Sequence, residues 1–218
     1  MKGLLKISAN VTGPKDNAQK LEPHVGPEPE KMNMFMSPQI KRTYYQLTIS
    51  VIEGQNLPMY GGGAFTSDSL EAYFKANYGG GNALKTNVRN QVNNKVSVMQ
   101  QFLIPVQTPV LQDRLVISAW DYNSVYSHTI IGSLILSVKQ LIAEGSKEGG
   151  MFVWKDLYGS PKDNSGAEAD KMNANPECAS DWKGSILLHV SAEEQDKPKK
   201  RVQDLNDDAK KKSDEDGE

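Results

Sequence analysis

Residues 44–51 read YYQLTISV. Tyr45, Leu47, Ile49 and Val51 fall on one side of an extended chain, and Gln46, Thr48 and Ser50 on the other. Alternation with period two does not match a helix of about 3.6 residues per turn, so the stretch predicts a half-buried strand. Similar short runs follow: EAYFKANY from residue 71, VMQQFLIPV from 98, RLVISAW from 114, IIGSLILSV from 130, FVWKDLY from 152 and GSILLHVS from 184. Turn-forming residues separate them, in EGQNLP, YGGG, GGGN, QTP and EGSKEGG. Only LSVKQLIAEG has the pattern of a short helix, with Gly145 to end it. Seven or eight short strands at loop spacing predict an all-β fold. Its form is a two-sheet antiparallel sandwich with long loops and at most one or two short helices.

Four segments stand outside that pattern. Residues 13–42 carry five prolines and several charges without periodicity, and read as a linker. Residues 159–181 form a polar insertion before the last strand, expected to be a mobile loop. Residues 193–218 mix Lys with Asp and Glu and contain no aromatic residue, the composition of a disordered tail. At the other end KGLLKIS, from Lys2, echoes KGSILLHVS, from Lys183. Residues 1–12 are therefore expected either as the closing strand of a preceding domain or as a stray edge strand.

Bulk properties exclude several classes of function. A formal charge of -2 argues against a nucleic-acid binder driven by net charge. The single cysteine, Cys178, permits no intramolecular disulfide and suits a reducing compartment. No run approaches the roughly 18 apolar residues that a spanning helix needs. Lys6, Ser8 and Asn10 interrupt the N-terminal apolar stretch too soon for a secretory signal. His128 has Ser and Asp neighbours in sequence, but no Gly-x-Ser-x-Gly elbow accompanies it. Three histidines and one cysteine offer no zinc spacing, and neither GGG run continues into Gly-Lys-Ser/Thr. The chain is read as non-catalytic.

The order of its motifs resembles a C2 domain. The first strand ends in Gln55-Asn56-Leu57-Pro58; Glu71-Ala72-Tyr73 stands where the family has Asp-Pro-Tyr. Lys85-Thr86 follows, and then an aromatic-Asp loop, Trp120-Asp121-Tyr122, closed by Ile131-Gly132. The resemblance covers residues 43–192 and implies a C2-type sandwich of eight strands. Within that family, Val11-Thr12-Gly13-Pro14 ahead of a long linker, and FVWKDLYGSP from residue 152, are similar to an internal C2 domain of the ferlins. Ferlins are large tail-anchored proteins with several C2 domains, acting in vesicle fusion and membrane repair.

The resemblance frames the candidate sites. Calcium-binding members supply five aspartates from two loops. Here the first loop lacks its early Asp, Glu71 replaces the later one, and Asp68 is shifted in register. In the second loop Asp121 survives, while Asn123 and Thr129 stand in place of carboxylates. Affinity for Ca2+ climbs with the number of carboxylates, so Asp68, Glu71, Asp121 and Asn123 make a degenerate site, with calcium absent or weakly bound. The rival reading has Asp121 simply capping its own loop through backbone amides. Met59, Tyr60 and Phe65 in the first loop, with Tyr122, Val125 and Tyr126 in the second, suit a bilayer interface, unless they pack on one another. Lys75 shares a strand face with Tyr73 and Asn77, and with Lys85 and Arg89 it can line a basic groove, where relatives hold phosphoinositide headgroups. The alternative is a solvated charged face.

These readings imply a module of a ferlin-like protein in vesicle trafficking, exocytosis and membrane fusion. It would face the cytosol, tethered at membranes through a larger parent, and bind anionic phospholipid or phosphoinositide with weak or no calcium dependence. Neighbouring C2 domains and trafficking proteins are the expected protein partners, and nucleic acid is not. The rival is a scaffolding domain that packs on neighbouring domains without touching lipid.

Overall fold

The structure is a computed structural model that describes residues 41–59, 69–123, 127–161 and 166–205. The predicted strand at residues 1–12, all but the end of the 13–42 linker, and Tyr60, Phe65, Asp68, Val125 and Tyr126 lie outside the described residues, as does the tail beyond residue 205.

The predicted strands form. They are β1 (Thr43–Gln55), β2 (Glu71–Tyr78), β5 (Lys95–Thr108), β6 (Leu115–Asp121), β7 (Thr129–Leu136), β8 (Met151–Gly159) and β9 (Asp181–Glu194). Three short strands join them: β3 (Leu84–Lys85), β4 (Arg89–Asn90) and β10 (Arg201–Asp204). All pairings are antiparallel, in the order β10-β5-β1-β9-β8-β7-β6-β2-β3, with β4 also on β2. The β7–β8 ladder is a single pair, Ser133 with Tyr158. At that hinge the order folds into two layers, β10-β5-β1-β9-β8 and β7-β6-β2 with β3 and β4. Among the described residues the expected eight strands become ten because very short strands carry no periodicity to read.

The core lies between the layers, from Leu47, Ile49 and Val51 on β1 through Phe74, Phe102 and Ile117 to Ile186, Leu188 and Val190 on β9, all buried. Each such side chain contributes about 1.5–3 kcal/mol. Gly184 closes the packing. Its φ is +102°, and a Cβ there would stand 2.6 Å from the Gln55 carbonyl oxygen, so any side chain is excluded.

The helix reading holds. α1 (Val138–Gly145) begins at Ser137, whose hydroxyl accepts from the Gln140 N–H at 3.2 Å and donates to Asp113 Oδ2 at 2.9 Å.

Two segments differ from expectation. The insertion at 159–181 holds α2 (Ala167–Ala174) and a 3-10 turn (Pro176–Cys178). Asn173 clamps it to the sheet. Its Nδ2 donates to the Ile130 carbonyl at 2.9 Å, its Oδ1 accepts from the Ser160 N–H at 2.7 Å, and its own carbonyl accepts from the Ser133 hydroxyl at 2.6 Å. Ser133 and Asn173 are both buried, so polar residues that read as loop are a satisfied internal network. The tail expected to be disordered from residue 193 is ordered to residue 205. β9 runs to Glu194, and β10 lies along β5 with Arg201 opposite Leu103 and Asp204 opposite Gln100. Gln46 holds the approach, donating to the Lys199 carbonyl at 3.0 Å and accepting from the Lys199 N–H at 2.6 Å. That contact buries Gln46, a residue whose face of β1 alternation alone assigns to solvent.

Candidate functional site

The two loops singled out from sequence leave the sandwich side by side. Ala72 pairs with Asp121, and the Tyr122 N–H donates to the Glu71 carbonyl at 2.7 Å, which staples the end of the first loop to the start of the second. Met59, half exposed, faces a cleft shared with Asn93 and Asn94. Asp121 is buried, and both Asp121 and Asn123 are engaged by neighbours. Among the described residues no three acidic, histidine or cysteine side chains converge closely enough to hold a metal. Of the predicted calcium set the described residues hold two carboxylates, Glu71 and Asp121, and the Asn123 amide, whereas affinity for Ca2+ climbs with the number of carboxylates.

Beside these loops the outer face of β2 and β6 carries a basic and aromatic cluster. Strand alternation aims Tyr73 and Lys75 outward, and pairing sets Trp120 opposite Tyr73 and Lys85 opposite Lys75. The Tyr73 and Trp120 rings stack, with centroids 6.1 Å apart and planes 16° apart. The Lys75 ammonium lies 3.6 Å from the Trp120 ring centroid, and that of Lys85 lies 4.0 Å from the Tyr73 ring centroid. Trp120 is oriented from the side by its Nε1–H, which donates to the Ser118 hydroxyl at 2.8 Å. His128 continues the row of rings, sharing a 3.0 Å hydrogen bond with the Tyr73 hydroxyl and meeting Tyr122 edge-on at 4.7 Å.

The electrostatics follow from crowding. Burial, and then the charge of Lys85, hold the Lys75 ammonium below its ordinary pKa. Burial, followed by Lys85 and Lys75, lowers His128, and burial alone raises Tyr73. Two like charges held together over rings, with a neutral imidazole beside them, can accept an anion that relieves their repulsion.

Of the three predicted groove residues, Lys75 and Lys85 are brought together. Arg89 stands opposite Ala72 on β4 and is exposed. Tyr122, read as a membrane contact, packs edge-on against His128. Trp120 and His128 were not singled out from sequence for this role. The readable signal was the parity of EAYFKANY against RLVISAW, which sets one outward aromatic opposite another only once the strands are paired in register.

Comparison with known proteins adds the context. Residues 45–153 match the family model described as C2 domain. "Ferlin 1" of Toxoplasma gondii is 26% identical over 196 residues, covering 87% of this chain and 13% of the ferlin. "Ferlin 2" of Tetrahymena thermophila is 32% identical over 130 residues, covering 56% of this chain and 7% of the ferlin. The chain thus spans only a small part of these relatives. Among solved structures, a C2 domain of plant Extended Synaptotagmin 1 aligns with a TM-score of 0.45 and 11% identity, covering 72% of this chain and all of that domain.

Proposed function

Because the chain belongs to the C2 domain family, we propose that it is a non-catalytic, membrane-associating module of a ferlin-like protein. Its role is in vesicle trafficking, exocytosis and membrane fusion, on the cytosolic side and tethered through a larger parent. It binds anionic phospholipid, phosphoinositide above all, with weak or no calcium dependence.

The observation that supports this most is the lysine pair. Lys75 and Lys85 stand on neighbouring strands, each with its ammonium over an aromatic ring, at 3.6 Å and 4.0 Å from the ring centroids. A ring holds an ammonium in place without neutralising it, so both charges stay available to one phosphorylated headgroup. Each basic residue contributes on the order of 1 kcal/mol at an anionic surface, and placement over rings reduces the entropy lost on binding. Met59, half exposed in the first loop, is an apolar side chain able to enter the interface. The thin donor set at Glu71, Asp121 and Asn123 gives Ca2+ little charge to neutralise before a membrane approaches.

Vesicle sedimentation tests the reading. Vesicles of phosphatidylcholine alone, with phosphatidylserine, and with phosphatidylserine plus phosphatidylinositol bisphosphate are each compared in Ca2+ and in chelator. The expected result is strongest binding to the phosphoinositide vesicles, changed little by chelator. Indifference to headgroup, or binding that appears only on adding micromolar Ca2+, would sink it.

A further inference from the structure

The sheet β10-β5-β1-β9-β8 has two ends, and they are finished differently. An edge strand presents unpaired N–H and C=O groups, a template for another strand that folded chains usually cover. At the β5 end the chain supplies its own cover, β10, paired over residues 100–103 and locked by the Gln46–Lys199 hydrogen bonds and by Gln100 Nε2 donating to Asp204 Oδ1 at 2.6 Å. Among the described residues the β8 end has no covering strand: β8 pairs with β7 only at Tyr158, which leaves residues 151–157 without a strand partner on that side. Where the two strands part, a cleft of about 320 Å3 opens between Leu134 and Ile135 on β7 and Lys155, Asp156 and Tyr158 on β8, with Pro176 and Glu177 of the insertion at its wall.

The outer surface of β8 is aromatic. Phe152, Trp154 and Tyr158, at even positions of β8, are 67%, 46% and 41% exposed, and Trp182, opposite Tyr158, is 50% exposed. Asp156 sits among them. The Ser185 hydroxyl and the Trp182 Nε1–H both donate to its Oδ1, at 2.6 Å and 3.1 Å. These two bonds hold the carboxyl below its usual range, so it stays ionised. Oδ2 accepts no hydrogen bond from any described residue. Arg114 and Glu177 pair at 3.1 Å beside the cleft, and Lys155 and Asp156 are the other charged residues that line it.

We propose that the β8 edge is a docking site for an extended segment of a partner protein. The segment adds to the sheet as a further strand and seats an arginine or lysine against Asp156, between Trp154 and Tyr158. A strand edge with no paired neighbour is matched by a peptide main chain, which can pair along it, and by nothing in a lipid or a sugar. An ionised carboxylate framed by exposed rings selects a cation, through a charge-assisted hydrogen bond on one side and ring faces on the other. This surface lies on the opposite sheet from Lys75 and Lys85, so it goes beyond the membrane reading and is independent of it.

Selection of displayed random-sequence peptides on the immobilised protein tests the assignment. Enriched peptides are expected to alternate apolar and polar residues and to carry Arg or Lys at one recurrent position. Resynthesised, they should bind about tenfold more weakly to Asp156→Asn and to Trp154→Ala. Asp156→Asn keeps an acceptor for Ser185 and Trp182, so its fold is retained. Bound peptide should also slow hydrogen–deuterium exchange at amides within residues 151–157. Failure of any peptide to enrich, equal binding to both variants, or unchanged exchange at β8 would overturn the proposal. So would phosphatidylcholine–phosphatidylserine vesicles slowing those amides without peptide, which would assign the face to a membrane.

Discussion

Two outer faces of this sandwich are rich in aromatic residues, and they use them in opposite ways. On β2 and β6 the rings are sunk beneath cations. Tyr73 is only 2% exposed, stacked on Trp120 and bonded to His128, with a lysine ammonium over each of the two stacked rings. On β8 and β9 the rings stand clear of the surface around an ionised Asp156. Under the two proposals similar ring chemistry faces opposite partners, and the ion beside the rings decides which. A cation held over a ring invites a phosphate; a carboxylate framed by rings invites an ammonium or guanidinium.

The comparison breaks most readily at the rings themselves. Tyr73→Ala removes a buried side chain and is expected to cost about 3 kcal/mol of folding stability. Trp154→Ala removes an exposed one and should cost no more than about 0.5 kcal/mol. Denaturant unfolding of the two variants gives the contrast directly, and equal losses would mean that the faces are not built differently.

Next in size is the charge test. Replacing both Lys75 and Lys85 with Ala should weaken binding to phosphoinositide vesicles by about 2 kcal/mol, roughly thirtyfold. Asp156→Asn should leave that binding unchanged in the same sedimentation assay. A loss on Asp156→Asn would place lipid on the wrong face.

Calcium is expected to matter less. At a Kd no tighter than about 10⁻⁴ M, 1 mM Ca2+ adds at most roughly 1.4 kcal/mol of stability. Thermal melts in Ca2+ and in chelator measure it, and a larger shift would show that the loops supply more oxygens than Glu71, Asp121 and Asn123.

The smallest effect sharpens the comparison through pH. His128 titrates below its ordinary pKa of 6.5 in the folded chain, so on acidification the unfolded chain takes up this proton first. Its contribution to stability is present above pH 6.5 and declines as pH falls from there toward the folded pKa. A bound phosphate favours the imidazolium, so vesicle binding should instead tighten over that window. His128→Gln should flatten both slopes, and a vesicle-binding profile unaffected by the substitution would remove His128 from the site.

Much of this was legible in one dimension. Alternation in YYQLTISV and its counterparts determined the strands, because a strand with one face in the core must place apolar residues at every second position. Asn123 and Thr129, where the resemblance calls for carboxylates, are the residues on which the expectation of weak calcium binding rests. Lys75 and Lys85 were visible as residues of a candidate groove. Their meeting was not, since residues ten apart in sequence become neighbours only when β3 pairs with β2 in register.

Tertiary structure alone decided the rest. The insertion at 159–181 and the tail after residue 193 look polar and aperiodic, and composition treats such segments as unfolded. Asn173 and Gln46 hold them through hydrogen bonds to backbone groups 43 and 153 residues away in sequence. The same holds for the β8 edge, which has no further paired strand among the described residues, since a strand's sequence does not say whether a neighbour pairs with it. Periodicity reports which side of a strand is apolar, a local property. Which groups meet across the sheets depends on register and on the two-layer closure, which no single segment contains.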